Sequence, residues 1–184
     1  MSLPPNGAVL LFSESAIERT LDRLAVQIDL DLAGSEVVAL CVLRGGSPFA
    51  WDLMRRLRVN LTLEFVQVQR YRGVIGDQPR VVGSLPEKLT GRIVLLMDDV
   101  LDYGITLKFL KDQISTFAET VYTAVLVQKK LSQPPKIEAD YIGLYAPDKF
   151  LIGRGMDLDG KYRDLPAIYA ISELEGSNPD EAHV

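Results

Sequence analysis

The middle of the chain reads Ile93-Val94-Leu95-Leu96-Met97-Asp98-Asp99-Val100-Leu101-Asp102-Tyr103-Gly104-Ile105-Thr106-Leu107. An apolar run of strand length leads into a turn with three carboxylates, one glycine and one threonine, and a helix is predicted to begin at Thr106. The helical pattern places four apolar residues on one face: Leu107, Leu110, Ile114 and Phe117. Val121–Gln128 then returns as a second apolar strand, so this region is predicted to form a β-α-β unit.

Further elements are predicted on both sides of this unit. Ser15–Glu18 fits a capping box that begins an amphipathic helix over residues 15–32, and Glu36–Leu43 has the pattern of a strand covered on both faces. The remaining elements are predicted to be a helix near 49–57 and strands at 61–68, 141–145 and 167–171. Because strands and helices alternate, we expect one α/β domain over residues 1–184, with a doubly wound, mostly parallel sheet flanked by helices. Ligands bind such sheets beyond the carboxyl ends of the strands.

Composition excludes several classes of function. The chain has 184 residues, a net charge of −5 and one cysteine, Cys41, which cannot form an internal disulfide and is expected to be a small buried side chain. The one histidine, His183, lies in the polar tail 175–184, so histidine triads and multi-histidine metal sites are excluded. The negative charge offers no general field for nucleic acid. No segment has the pattern of a signal peptide or membrane span, so we expect a cytoplasmic protein.

The turn after the mid-chain strand has the chemistry of a sugar phosphate site. A helix N-terminus favours a phosphate because its first backbone amides carry partial positive charge. Gly104 permits close approach of the backbone, and Thr106 adds a hydroxyl donor. Asp98 and Asp99 would repel a phosphate, but they can accept hydrogen bonds from the vicinal hydroxyls of a ribose. Taken alone, the aspartate pair fits a helix cap or a solvated strand end equally well.

The chain resembles the type I phosphoribosyltransferases, and among them the hypoxanthine-guanine phosphoribosyltransferases. Four pieces carry this resemblance, in the order and spacing of that family: Leu43-Arg44-Gly45-Gly46, the loop Asp98–Thr106, Lys129 after its strand, and a C-terminal run. The C-terminal run reads Pro147-Asp148-Lys149-Phe150-Leu151-Ile152-Gly153-Arg154-Gly155-Met156-Asp157, followed by Tyr162-Arg163-Asp164-Leu165-Pro166. Together these pieces extend over most of the chain.

The resemblance implies a purine salvage enzyme, a pentosyltransferase within the glycosyltransferases. A 6-oxopurine base (hypoxanthine, guanine or xanthine) would react with phosphoribosyl pyrophosphate and Mg²⁺ to give the nucleoside monophosphate and pyrophosphate. The resemblance also implies a homodimer or homotetramer and a small hood built from the chain ends, with a base-binding part over about 141–174. Residues 70–90 would form a mobile lid, and glycines and prolines there interrupt any apolar period.

The same resemblance implies a role for individual residues. Asp102 would be the general base that removes a proton near N7 of the purine. The 5′-phosphate would be held by Asp102, Tyr103, Gly104, Ile105 and Thr106, and the ribose hydroxyls by Asp98 and Asp99. The pyrophosphate would contact Arg44, Gly45 and Arg163, and the purine would contact Lys129, Phe150, Leu151 and Asp157. Asp157 would also bind the metal, Lys129 would read the 6-oxygen of the base, and Arg70 and Tyr71 would belong to the lid.

Four of these positions depart from the family pattern. Arg44 and Arg70 stand where lysine and serine are usual, and Asp98 stands where the purine enzymes often carry glutamate. Tyr103 stands where the phosphate loop usually has threonine or serine. The Tyr103 departure alters a side-chain donor to the phosphate, so phosphate affinity is the property that it affects.

Two other readings remain open. A nucleotide-sensing, RNA-binding regulator of the pyrimidine-attenuation type shares the Asp-Asp-Val-Leu strand end, although such regulators usually carry an aromatic residue in place of Asp102, and no basic stripe interleaved with aromatics is present. A phosphatase or receiver domain would use Asp98 and Asp99 around magnesium, but it would place its acidic residues earlier in the chain. Individually, Lys129 also fits a solvated lysine, and Phe150 fits a core aromatic.

Overall fold

Strands and helices alternate through the residues that the computed structural model describes, 2–73 and 76–171. The strands are β1 (Ala8–Phe12), β2 (Glu36–Leu43), β3 (Asn60–Gly73), β4 (Gly76–Val81), β5 (Ile93–Leu101), β6 (Thr120–Lys130), β7 (Tyr141–Pro147), β8 (Phe150–Ile152) and β9 (Ile168–Ile171). The α-helices are α1 (Glu14–Asp31), α2 (Gly46–Met54) and α3 (Ile105–Ile114), and a short 3-10 turn spans Glu87–Leu89. Within these residues, no helix combines the length and the apolar character needed to cross a membrane.

The main sheet has the strand order β4-β3-β2-β5-β6-β7. Strands β3, β2, β5, β6 and β7 are parallel to one another, and only β4 runs antiparallel, to β3. The long apolar runs of β2, β5 and β6 lie at the centre, where helices cover both faces. The predicted α/β fold with a mostly parallel sheet is therefore confirmed.

Alternate residues of the central strands face opposite layers of the core. On β2, Val37, Ala39 and Cys41 pack with the apolar faces of α1 and α2. Their neighbours Val38, Leu40 and Val42 pack on the other side, where Leu107, Leu110 and Ile114 of α3 complete a second cluster. Because both faces are covered, the charged ends of the strands are the places where polar side chains collect.

A second, three-stranded antiparallel sheet forms the hood, with the order β1-β9-β8. Ala8 pairs with Ile171 and Phe150 also pairs with Ile171, so the hood is built from both ends of the described chain, as expected. The expected lower bound of the hood at residue 141 is wrong because β7 is the edge strand of the main sheet. Strands β1 and β8 were not predicted, since β1 exposes part of its apolar side chains and β8 has only three residues.

One local expectation is corrected, and part of the region 70–90 has regular structure, while its predicted mobility stays a prediction. The N-cap of α1 is Ser13, whose Oγ accepts a hydrogen bond from the Ala16 amide at 3.3 Å, so the helix begins at Glu14 and Ser15 lies inside it. Much of the region 70–90 is regular, because β3 runs to Gly73 and pairs with β4 from Val68 to Gly73. Backbone pairing of this kind needs no apolar period, which is why the sequence pattern did not reveal it.

Candidate active site

A cavity of about 670 Å³ lies beyond the carboxyl ends of β2, β5 and β6, with the hood on one side. Side chains from five strands and one helix terminus therefore meet at a single place. The lining residues are Leu43, Arg44, Gln67, Val68, Gln69, Asp98, Asp99, Val100, Leu101, Asp102, Gly104, Ile105, Thr106, Leu107, Lys129, Phe150, Leu151, Met156, Asp157 and Arg163.

Most of the predicted site residues line this cavity, although they are far apart in the sequence. The predicted residues in the wall are Arg44, Asp98, Asp99, Asp102, Gly104, Ile105, Thr106, Lys129, Phe150, Leu151, Asp157 and Arg163. Tyr103 does not line the cavity, and its side chain is 51% exposed. Gly45 lies outside the lining and is covered by the carboxylate of Asp99. The predicted lid side chains, Arg70 and Tyr71, fall outside the side chains that the structure describes.

The turn between β5 and α3 presents a helix N-terminus to the cavity. Strand β5 continues past the first two aspartates to Leu101, and Gly104 then takes a left-handed conformation with φ 74° as the N-cap of α3. A Cβ atom at Gly104 would lie 2.9 Å from Cγ2 of Ile137, so both the backbone angle and the close packing require glycine. The first turn of α3, with its partial positive charge, therefore forms part of the wall.

Asp99 is a buried carboxylate that packs directly on the turn after β2. It is 8% exposed, and a Cβ atom at Gly45 would lie 2.1 Å from its Oδ2 atom. Burial raises the pKa of Asp99, and the contacts with Asp98, the nearby backbone amides and the charge of Arg163 only partly offset this effect. Asp98 accepts a hydrogen bond from the Asp99 amide at 3.0 Å. The two adjacent carboxylates thus have different surroundings, one buried and one partly open.

Lys129 and Asp102 form an ion pair on the floor of the cavity. Lys129 is 8% exposed at the end of β6, and its Nζ lies 3.0 Å from Oδ2 of Asp102. The other carboxylate oxygen of Asp102, Oδ1, is buried and has no hydrogen-bond partner among the residues that the structure describes. A buried acceptor of this kind costs free energy unless something binds to it. This oxygen therefore keeps its capacity to accept a hydrogen bond or a proton.

Arg163 and Asp157 bring opposite charges to the hood side of the cavity. Nη2 of Arg163 lies 2.5 Å from Oδ1 of Asp157, and Nη1 donates to the Gly155 carbonyl. The neighbouring Asp164, a simple alternative partner for Arg163, instead accepts a hydrogen bond from the Ser2 amide at 2.8 Å. The second oxygen of Asp157 accepts from the Gly160 amide at 2.7 Å.

The donor set fits a magnesium ion that is held mainly by its substrate. Within residues 2–73 and 76–171, no group of three or more His, Cys, Asp or Glu side chains forms a metal site of its own. Mg²⁺ in phosphate chemistry needs one or two carboxylates and completes its shell with phosphate oxygens and water. Both oxygens of Asp157 already have protein partners, yet each retains a lone pair, so Asp157 can still supply one ligand.

Strand β3 and Met156 also line the cavity, although they were not predicted to do so. Gln67 and Gln69 line the cavity from β3, which lies next to β2 in the sheet. No residue pattern marks them, but a strand that is parallel to β2 and adjacent to it must end near the same edge. Met156 lies in the chain between the predicted site residues Leu151 and Asp157. It reaches the cavity wall because of the conformation of the turn in which it lies.

Comparison with known proteins gives consistent results. The family model of the phosphoribosyl transferase domain matches residues 11–159. A hypoxanthine-guanine phosphoribosyltransferase of Streptococcus thermophilus is 32% identical over 167 residues, which cover 89% of this chain and 93% of that protein. A solved hypoxanthine-guanine phosphoribosyltransferase of Bacillus anthracis has 31% identity and a TM-score of 0.81, covering 89% of this chain and 98% of its own. A solved Staphylococcus aureus hypoxanthine phosphoribosyltransferase has 28% identity and a TM-score of 0.85, and the match covers 92% of this chain and 94% of that one.

Proposed function

Since the chain belongs to the phosphoribosyltransferase family, we propose that it transfers the phosphoribosyl group of phosphoribosyl pyrophosphate to a 6-oxopurine base. The products are the purine nucleoside monophosphate and pyrophosphate, and hypoxanthine and guanine are the first candidate bases. The names of the similar proteins support the choice of base. The single observation that carries the proposal is the Lys129–Asp102 pair, which lies beside the acidic end of β5 and the N-terminus of α3.

The wall formed by β5 and α3 fits a ribose 5-phosphate. Backbone amides and the hydroxyl of Thr106 suit the phosphate, while the carboxylates of Asp98 and Asp99 suit the two ribose hydroxyls. Tyr103 adds no side chain to this wall, so we assign the phosphate to the backbone of residues 102–106 and to Thr106 alone. An ionised carboxylate at this end of β5 would also favour the sugar carbon that becomes cationic in the transition state.

Lys129 and Asp102 suit a purine that carries an oxygen at position 6. The ammonium of Lys129 has donors only, so it can bind a 6-oxygen but not a 6-amino group. Phe150 and Leu151, which line the hood side, can cover the face and edge of the ring. The unsatisfied Oδ1 of Asp102 can accept the proton of a ring nitrogen, which makes the purine the better nucleophile.

The reaction breaks one bond and forms one bond at the anomeric carbon. A purine ring nitrogen bonds to that carbon, the bond to the pyrophosphate oxygen breaks, and the purine proton goes to Asp102. Arg44 and Arg163 also line the cavity and suit the leaving pyrophosphate; within the described residues, no ion pair occupies Arg44. When bound, Mg²⁺ neutralises charge on the pyrophosphate oxygens, and Asp157 is the carboxylate that we assign to it.

The proposal is tested by incubating the protein with phosphoribosyl pyrophosphate, Mg²⁺ and one base at a time. Hypoxanthine, guanine, xanthine, adenine and uracil are supplied separately, and the nucleotide formed is identified by chromatography. We expect a 6-oxopurine nucleotide and stoichiometric pyrophosphate, with adenine converted poorly. Exclusive conversion of adenine or uracil, or the absence of any nucleotide with a folded protein, would contradict the proposal.

A further inference from the structure

Arg154 lies in the turn of the hood, but its side chain points away from the cavity and towards α1 and α2. The side chain is only 12% exposed, and each of its three nitrogens has a partner. Nε donates to the Pro166 carbonyl at 2.8 Å, Nη2 lies 2.5 Å from Oε1 of Glu18, and Nη1 donates to Asp52. One guanidinium thus joins the hood to both helices on one face of the main sheet.

The two carboxylates that bind Arg154 belong to helices whose positions are already fixed by packing. Glu18 lies on α1 with its side chain partly exposed, and Asp52 lies on α2. Burial raises the pKa of Glu18, but the hydrogen bond and charge of Arg154, together with those of Arg56, outweigh it and lower the pKa overall. The carboxylate therefore stays charged at neutral pH and provides a firm anchor for the arginine.

The residue after Arg154 connects this anchor to the cavity. A Cβ atom at Gly155 would lie 1.9 Å from the Gly45 carbonyl oxygen and 3.1 Å from Cδ of Pro48, so Gly155 packs directly on the N-terminus of α2. The Gly155 carbonyl accepts from Arg163, and Arg163 pairs with Asp157. The turn 153–157 therefore contacts α2 at two points. Gly155 packs on the N-terminus of the helix, and Arg154 binds Asp52 nearer to its C-terminus.

We propose that Arg154 is a positioning residue, which holds the turn 153–157 against α2 so that Asp157 and Arg163 keep their places in the cavity wall that Arg44 also lines. This inference rests on the proposed function, because those three side chains are the ones assigned to pyrophosphate and metal. The planar guanidinium fork suits the task, since three donors in fixed directions determine the orientation of the turn as well as its distance. Small displacements of binding groups are costly in sites of this kind.

Arg56 provides a matched control within the same charge network. It donates to the other oxygen of Glu18 and, through Nε, to Asp22 at 2.8 Å, and it also caps the end of α2 through the Asp52 carbonyl at 2.7 Å. Among the residues that the structure describes, it pairs with α1 and α2 and forms no ion pair with the hood. Loss of Arg56 should therefore weaken the helix pair without moving the turn 153–157.

The test compares Arg154→Gln, Arg154→Lys and Arg56→Gln. We expect Arg154→Gln to raise the KM for phosphoribosyl pyrophosphate about tenfold, with kcat changed less than KM. Arg154→Lys should recover part of the loss because it keeps the charge but not the fork. Arg56→Gln should lower the melting temperature comparably and leave both kinetic constants close to wild type. Equal changes of KM in the Arg154→Gln and Arg56→Gln proteins would overturn the proposal.

Hydrogen exchange gives a readout that does not depend on activity. The Arg154 and Gly155 amides donate to the carbonyls of Leu165 and Arg163 at 3.0 and 3.1 Å, so both should exchange faster in Arg154→Gln than in Arg56→Gln. If Arg154→Gln does not fold, Asp52→Asn, which removes one of its partners, is measured in its place and should shift KM and exchange in the same direction. An inactive wild-type protein would refute the proposed function, whereas unchanged exchange would refute the positioning role.

Discussion

Lys129 and Asp102 are 27 residues apart in the chain, yet the lysine nitrogen lies 3.0 Å from one oxygen of the aspartate while the other oxygen stays buried without a partner. The pairing follows from the sheet, because β5 and β6 are parallel neighbours. Asp102 comes directly after β5, and Lys129 lies at the carboxyl end of β6. One charged pair thus offers a donor and a proton acceptor to the same ligand. This arrangement makes separate predictions for its two members.

Replacing Asp102 with asparagine should reduce turnover by roughly 10²–10⁴ if the carboxylate removes the purine proton. The size of the side chain is preserved, so the affinity for phosphoribosyl pyrophosphate should change little. Steady-state kinetics with hypoxanthine measure the first quantity, and calorimetric titration with phosphoribosyl pyrophosphate and Mg²⁺ measures the second. Unchanged turnover would remove Asp102 from the chemistry.

Replacing Lys129 with glutamine should weaken the selection of 6-oxopurines. A neutral amide carries an acceptor as well as donors, so we expect the KM for hypoxanthine to rise about tenfold or more and the preference over adenine to fall. Lys130→Gln is the control, since the neighbouring Lys130 lies outside the cavity with its Nζ 5.5 Å from the Tyr145 ring centre. The assignment fails if both variants have the same base preference as the wild type.

Asp140, which lies outside the candidate site, should make the free energy of unfolding depend on pH. Partial burial raises its pKa, but hydrogen bonds from Thr123, at 2.8 Å from the amide and 2.7 Å from the hydroxyl, and the charge of Lys111 lower the pKa overall. Because the folded-state pKa is depressed, the stabilisation is complete above the unfolded pKa of about 4 and disappears as the pH falls through the folded value.

Urea unfolding at neutral pH should therefore show Asp140→Asn to be less stable than wild type by about 1–2 kcal/mol. The difference between the two proteins should shrink as the pH is lowered below the ordinary aspartate range. Glu138→Gln, two residues away and exposed, should behave like the wild type at every pH. A constant difference across the pH range would show that the ionised form of Asp140 is not what stabilises the fold.

Cys41 should be unreactive until the protein unfolds. Its side chain is fully buried in β2, and burial, together with the charges of Asp98 and Asp99, raises the pKa of the thiol to about 11. Because the thiolate is the reactive species, an aromatic disulfide reagent at mildly alkaline pH should label no thiol in the folded chain. The same assay in denaturant should label one thiol per chain. Rapid labelling of the folded protein would mean that the β2 layer of the core opens.

The predicted elements agree with the observed ones where a long run or a periodic stripe of apolar residues marks the element. The runs of β2, β5 and β6 and the stripe of α3 are long enough to be read directly, and the carboxylates of the site lie where those runs end. Elements with few buried side chains, such as β1 and β8, give no such signal. Ser13 was missed as the cap because Ser15 also fits the capping pattern, and only the backbone geometry distinguishes them.

The site was predictable to the extent that residue chemistry and family spacing coincide. Lys129, Asp102 and Arg163 could be singled out from their order in the chain, but their partners depend on distances that no sequence pattern contains. Arg163 pairs with Asp157 rather than with its neighbour Asp164, and Tyr103 is exposed although it stands in the loop to which we assign the phosphate. Arg154 was quoted as part of a motif, yet its side chain acts on helices that lie more than 100 residues earlier in the chain.

The pairing of β1 with β9 affects how the protein is made. Strand β1 (Ala8–Phe12) precedes every strand of the main sheet, whereas its partner, β9 (Ile168–Ile171), follows all of them. The main sheet can form while translation continues, since its strands are complete by Pro147. Strand β1 therefore stays unpaired until β9 has been synthesised. The hood, which brings Phe150 and Leu151 to the cavity, is therefore completed later along the chain than the sheet beneath it.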